Sequence, residues 1–106
     1  MTPAEVKAIV DAEIGDDWER KNPHGVDLRT CVMTPRKVTC RNTFPKFNAG
    51  EPLEMWIVLE EKPGKNYGYL IVFDEQERKF GLADWDVDTP VFLGFHGTFL
   101  NTLDGM

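Results

Sequence analysis

Residues 53–61, LEMWIVLEE, carry apolar side chains on both sides of a period-two pattern. Leu53, Met55, Ile57 and Leu59 fall on one face, and Trp56 and Val58 begin the other. A strand that is apolar on both faces belongs inside a sheet, with a neighbour along each edge and something packed over each face. This stretch therefore obliges the rest of the chain to supply flanking strands and a cover.

The flanking strands are easy to find downstream. Lys62-Pro63-Gly64-Lys65-Asn66 reads as a turn, and YGYLIVFD returns from it, with Tyr69, Ile71 and Phe73 able to face Leu59, Ile57 and Met55. A second hairpin through EQER leads to KFGLADW, and Asp86 to Pro90 leads to VFLGF. Gly68, Gly81 and Gly94 then sit inside three successive strands, where glycine weakens the ladder unless a ring or another backbone must come close.

Upstream, Val26, Leu28, Thr30 and Val32 alternate with polar or smaller residues and predict a half-buried strand, followed by another from Lys37 to Phe44. A two-residue loop between them at Pro35-Arg36 would need positive φ at proline, which its ring forbids. A three-residue loop, Pro35 to Lys37, pairs Val32 with Cys40 and Leu28 with Phe44, making Cys40 a core residue with Cys31 on the other face. A four-residue loop would instead set Cys31 opposite Cys40, where a disulfide is conceivable, but it moves the apolar sets to opposite faces; the three-residue loop is preferred. Asn22-Pro23-His24-Gly25 has turn chemistry, and His24 reads as a solvated turn residue. Asn48 to Pro52 is a further turn cluster.

Each end of the chain offers a helix. Thr2 can cap, Pro3 suits the first helical position and Glu5 completes a capping box; Val6, Ile9, Val10 and Ile14 share a face and Gly15 stops the helix, giving a span of about 3–14. After Gly97, Thr98 can cap a segment in which Phe99, Leu100, Leu103 and Met106 share a face. The expected fold is thus α+β: one domain over residues 1–106, with an N-terminal helix, a mostly antiparallel meander of five or six strands, and a short C-terminal helix packing on the same face as the first.

Charge is unevenly spread. Net charge is −6, with six acids and one base in residues 1–19, seven bases and one acid in 20–46, and eleven acids and four bases in 47–106. A basic middle between acidic ends implies segments that neighbour one another in the fold and offset each other's fields. The apolar runs are too short to cross a bilayer and the opening carries acids where a secretory leader carries bases, so the chain reads as cytoplasmic, with two reduced cysteines.

Chemistry-bearing clusters are sparse. There is no serine, no glycine-rich phosphate loop and no zinc-spaced His or Cys set, so the sequence calls for no cofactor, no metal and no catalytic residue. Asp84, Asp86 and Asp88 alternate around Trp85, but the glycine and glutamate of a calcium loop are replaced by Thr89 and Phe95. What remains is an acidic patch that, with Trp85 and Trp56 as anchors, suits a basic protein partner. His96, at a strand-to-helix corner, is a candidate for the mouth of a pocket between sheet and helices; the plainer reading is a histidine bonded to local backbone. Arg29, Arg36, Lys37, Arg41 and Lys46, with Phe44 and Phe47, offer a nucleic-acid hairpin over 29–46, against which the overall negative charge counts.

The run GYLIVFDEQERKFGLADW…PVFLGFHGTFLNTLDGM resembles the C-terminal half of small, uncharacterised bacterial proteins encoded beside toxin genes and described as immunity-like. The resemblance covers residues 54–106 and implies a single-domain intracellular protein that acts by binding; it supplies no site residues. The sequence-based expectation is a non-enzymatic acidic protein-binding module, an immunity-like inhibitor of a basic toxin or nuclease. The alternatives are a small-molecule or enzymatic pocket at His96 and nucleic-acid binding by the 29–46 hairpin.

Overall fold

A computed structural model describes residues 1–42 and 51–106. Helix α1 spans Pro3–Ile14, a single turn α2 spans Leu28–Cys31, strands β1 to β5 span Val32–Asn42, Pro52–Glu60, Tyr69–Asp74, Lys79–Asp86 and Thr89–Gly97, and helix α3 spans Phe99–Asp104. The strands form a meander in sequence order, antiparallel throughout, and β1 then pairs with β5 in parallel to close a five-stranded barrel. Closure replaces the expected open sheet. In a five-strand meander the first and fifth strands run the same way, so the pair that closes it must be parallel.

The α1 boundaries are set by local chemistry. Thr2 Oγ1 accepts from Glu5 N at 3.2 Å and Glu5 Oε1 accepts from Thr2 N at 2.9 Å, so both halves of the capping box form, and Gly15 at φ 56° ends the helix. Thr98 Oγ1 likewise accepts from Asn101 N at 3.1 Å to start α3. The two helices meet where Glu13 Oε1 accepts from Phe99 N at 2.9 Å.

Upstream of β2 the predicted hairpin is corrected. Val26 to Cys31 is not a strand: Asp27 caps α2, its carboxylate accepting from Arg29 N and its carbonyl from Thr30 N and Cys31 N. Leu28 and Cys31 are buried at helical spacing while Thr30 is exposed, so a short helix satisfies the burial that alternation had suggested for a strand. Nor is there a loop at Pro35 to Lys37, because β1 runs straight through it. The register against β2 changes from Val32↔Leu59 to Arg36↔Ile57, and Pro35 lies within that bulge, the place in a sheet where a missing N–H costs least. Cys40 pairs with Leu53 rather than Val32, and both cysteines are free and buried. Phe44 and the Asn48 to Gly50 part of the predicted turn lie outside the described residues.

β2 is the internal strand its sequence demands, flanked by β1 and β3. Its pairing with β3 differs from expectation: next to the loop Leu59 faces Ile71, two residues off the expected register, and past a bulge at Val58 the offset falls to one, with Trp56 facing Phe73. Gly68 lies in the turn before β3 at φ 92°, not inside a strand. Gly81 does have the expected role, since a Cβ there would come within 2.8 Å of the Phe92 ring and 2.5 Å of the Gly94 carbonyl oxygen.

Alternation along the strands sorts the apolar residues into two cores. Cys40, Met55, Ile57, Leu70, Val72, Ala83 and Phe92, drawn from all five strands, fill the lumen. Trp56, Val58, Leu59, Ile71, Phe73, Phe80 and Leu82 face outward from β2 to β4 and are covered by Val6, Val10 and Ile14 of α1, Leu28 and Cys31 of α2, and Phe99 and Leu103 of α3. Helices from both ends of the chain thus share one face, as the period-two pattern required of them.

Candidate functional site

At one end of the barrel, the loop joining β2 to β3 lies against the two-residue turn joining β4 to β5. Asn66 Nδ2 donates to Asp88 Oδ1 at 3.1 Å, and Trp85 N donates to the Gly68 carbonyl at 3.4 Å. These bonds bring together the two most exposed large apolar side chains among the described residues, Tyr67 at 58% and Val87 at 77% exposure. Val87 also has φ 58°, a left-handed backbone that a β-branched residue adopts at a cost of about 1–2 kcal/mol.

Strand parity distributes the acidic cluster. Ala83 and Trp85 point toward the lumen, so Asp84 and Asp86 point outward, and Asp88 follows on the exposed turn. Asp86 receives Arg41 Nη2 at 2.7 Å; Asp84 and Asp88 have no ion pair among the described residues. Asp86 and Asp88 thus flank Val87, the Asn66–Asp88 bond brings the loop carrying Tyr67 to them, and Asp84 and Asp86 point away from the side of the strand that Trp85 takes. Trp85 packs against the lumen core, with its indole N–H buried and without a partner among the described residues. Trp56 is 5% exposed in the outer core, with Lys37 Nζ 5.4 Å from its ring centroid, so it too is turned away from solvent. Sequence reasoning missed Tyr67 and Val87. Their signal was present, in a tyrosine beside a glycine-rich turn and a valine in the tightest hairpin.

His96 is exposed on β5, its ring so close to Gly105 that a Cβ there would come within 2.7 Å of Cε1. It lines neither of the two cavities described for the molecule, one at the far end of the barrel and one between α1 and β3–β4. His24 Nδ1 lies 2.8 Å from Glu61 Oε2, and its ring meets Tyr69 edge-on at 5.6 Å. Burial works against the charge on Glu61, but hydrogen bonds from Tyr69 N and His24 outweigh it and hold the carboxyl below its ordinary range. Neither cysteine is arranged as a nucleophile. Burial pushes the Cys40 thiol up to about 12 and raises that of Cys31 as well, so both are protonated near neutrality.

The bases of the middle segment are largely answered within the chain. Arg29 pairs with Glu19, Arg36 lies 3.9 Å from Glu60, Lys37 pairs with Glu75 and Arg41 with Asp86. This is the offsetting of neighbouring segments that the charge distribution implied. A stripe whose cations already face carboxylates has less to offer a phosphate backbone. Lys46 lies outside the described residues.

No family model, curated protein or solved structure matches the chain. Among the described residues no group of three or more His, Cys, Asp or Glu is placed to hold a metal ion, and no helix is long and apolar enough to cross a membrane.

Proposed function

We propose that the protein is a binding module that engages a basic protein partner through the end of the barrel carrying Tyr67, Val87, Asp84, Asp86 and Asp88. The observation that carries this reading is the exposed apolar pair set among carboxylates. An aromatic ring and a strained valine held in solvent lower the stability of a free monomer and suit a surface that becomes buried in a complex. The carboxylates steer an oppositely charged partner and set orientation, while Tyr67 supplies the contact area. Within this class the finer reading is an immunity-like inhibitor that covers the positive site of a toxin or nuclease.

The test is a pull-down from the source cell, followed by affinity measurement of the recovered basic protein at low and high salt. Replacing Asp84, Asp86 and Asp88 together by Asn is expected to weaken binding by at least about tenfold and to flatten its salt dependence, and Tyr67→Ala to weaken it by a similar factor. A partner that binds both variants as tightly as the native chain removes this surface from consideration.

A further inference from the structure

The loop that presents Tyr67 buries nothing. Lys62 to Tyr67 are exposed at every position, so no apolar burial fixes the shape in which the tyrosine is offered. A segment of that kind opens at little free energy unless polar bonds hold it. Besides its bonds to Asp88 and to Trp85 N, this one is held at its base by Glu61.

The base departs from an ordinary ladder. Continuing the β2–β3 register one step past Glu60↔Leu70 sets Glu61 opposite Tyr69. A hydrogen-bonded antiparallel pair exchanges two main-chain bonds, each N–H donating to the other residue's carbonyl. Here Glu61 N donates to the Tyr69 carbonyl at 2.9 Å, but Tyr69 N donates at 2.9 Å to Glu61 Oε1, so a side chain makes the second bond. The Glu61 carbonyl faces the Cys31 thiol instead, with Sγ 3.8 Å away. Gly68 leaves room for this. It has φ 92°, and a Cβ there would come within 3.0 Å of Glu61 Oε1 and 3.2 Å of Lys62 Cγ.

The other carboxylate oxygen is committed as well. Glu61 Oε2 lies 2.8 Å from His24 Nδ1, and because an ionised carboxylate only accepts, Nδ1 carries the hydrogen and donates it. The turn bearing His24 is itself fixed. Asn22 Oδ1 accepts from His24 N at 3.1 Å and from Val26 N at 3.0 Å, while Asn22 Nδ2 donates to the Leu103 carbonyl of α3 at 3.2 Å. A line of bonds thus runs from α3 through the His24 turn and a carboxylate to Tyr69, the first residue of β3 and two positions from Tyr67.

We infer that Glu61, braced by His24, is the positioning residue that holds the β2–β3 loop and its Tyr67 in one conformation before a partner arrives. The use of this loop in binding rests on the proposed function; the hold that Glu61 has on it is a property of the free chain. A loop already ordered spares the complex the cost of ordering it, so Glu61 and His24 raise affinity without touching the partner.

Amide hydrogen exchange and ¹⁵N relaxation of the free chain read the hold directly. In Glu61→Ala the Tyr69 amide is expected to exchange at least about tenfold faster and the order parameters of Lys65 to Tyr67 to fall from the rigid range, about 0.85, to below about 0.6, while the Val72 amide in the middle of β3 stays as protected as before. Glu61→Gln keeps an acceptor oxygen for Tyr69 N and is expected to restore most of that protection, and His24→Ala to lose about two- to fivefold. Unchanged exchange at Tyr69 in Glu61→Ala, or a loss shared equally by Val72, overturns the inference. Toward the basic protein recovered in the pull-down, Glu61→Ala is expected to bind about fivefold more weakly and to add no further loss in the Tyr67→Ala background. A loosened loop with native affinity, where Tyr67→Ala alone binds weakly, also overturns it. Native affinity in Tyr67→Ala instead overturns the reading of the surface, and the exchange data still decide the role of Glu61.

Discussion

The two cores of this molecule are closed in different ways. The outer core draws on three helices and the outward faces of β2 to β4, and it contains Phe73, Phe80 and Phe99, packed ring to ring at 4.8 and 5.6 Å. Among the described residues the lumen core uses strand residues alone, and a cavity borders it at the β3–β4 side. Burial from both termini gives the outer core neighbours on every side. The lumen of so few strands is filled along most of its length by the strands' own side chains, with a cavity beside it at one mouth. The first arrangement serves stability, and the second leaves a surface for something else.

The sharpest test of that contrast is a pair of truncations. Phe99→Ala removes a side chain with no exposure that meets Phe80 at 90°, and is expected to cost about 3–5 kcal/mol, a large share of a total of about 5–15 kcal/mol. Met55→Ala, although equally buried, removes a side chain that already borders empty space and should cost closer to its transfer term, about 2 kcal/mol. Urea titration of both variants gives the comparison through their midpoints. Equal costs would mean that the lumen is as tightly closed as the helical face.

Much of this arrangement was legible in the sequence, and the failures share a cause. Local chemistry located α1 through Thr2, Pro3 and Glu5, and alternation located β2 through β5 and the shared face of the terminal helices. The errors lie where two structures satisfy the same pattern. Val26, Leu28 and Val32 alternate as in a strand, yet Leu28 and Cys31 also stand at helical spacing behind a capping Asp27, and the cap won. Pro35 is compatible with a turn or with a bulge, and the partner strand β2 decides between them. Barrel closure depends on the twist accumulated over five strands and has no local signature. For the acidic surface, the parity that turns Trp85 inward was visible beside Asp84 and Asp86. What could not be read was the cross-loop bond from Asn66 to Asp88 that brings Tyr67 to them.

Val87 belongs to neither core, which gives a smaller and opposite test. With φ 58° and almost no burial, it gains nothing from packing to set against its strained backbone. Val87→Asn, a residue that tolerates this conformation, is therefore expected to stabilise the chain by about 1 kcal/mol, read as a higher urea midpoint with an unchanged slope. Under the proposed function the same variant binds the partner less tightly. A loss of stability would place Val87 within a packed layer and shift the boundary drawn between cores and surface.

The smallest effect concerns how α1 is fastened over the outer core. Glu75, on the β3–β4 turn, receives the Met1 ammonium at 3.0 Å and Lys37 Nζ at 3.1 Å, so it ties the start of the helix and β1 to the far hairpin. Hydrogen bonds from the ammonium and then from Lys37 hold its carboxyl down to about 2, against an ordinary value of 4.5. A carboxyl whose folded pKa is depressed stabilises the fold fully above its unfolded pKa and loses that contribution as pH falls, here between about 4.5 and about 2. Being on the surface, the pair is screened by salt and its share is modest. Glu75→Gln should flatten the fall of stability across that window at low ionic strength while leaving the Phe99→Ala cost at neutral pH unchanged. If the substitution instead lowered the cost of Phe99→Ala, the clamp and the apolar layer would be coupled, and the helical face would owe its closure to charge as well as to burial.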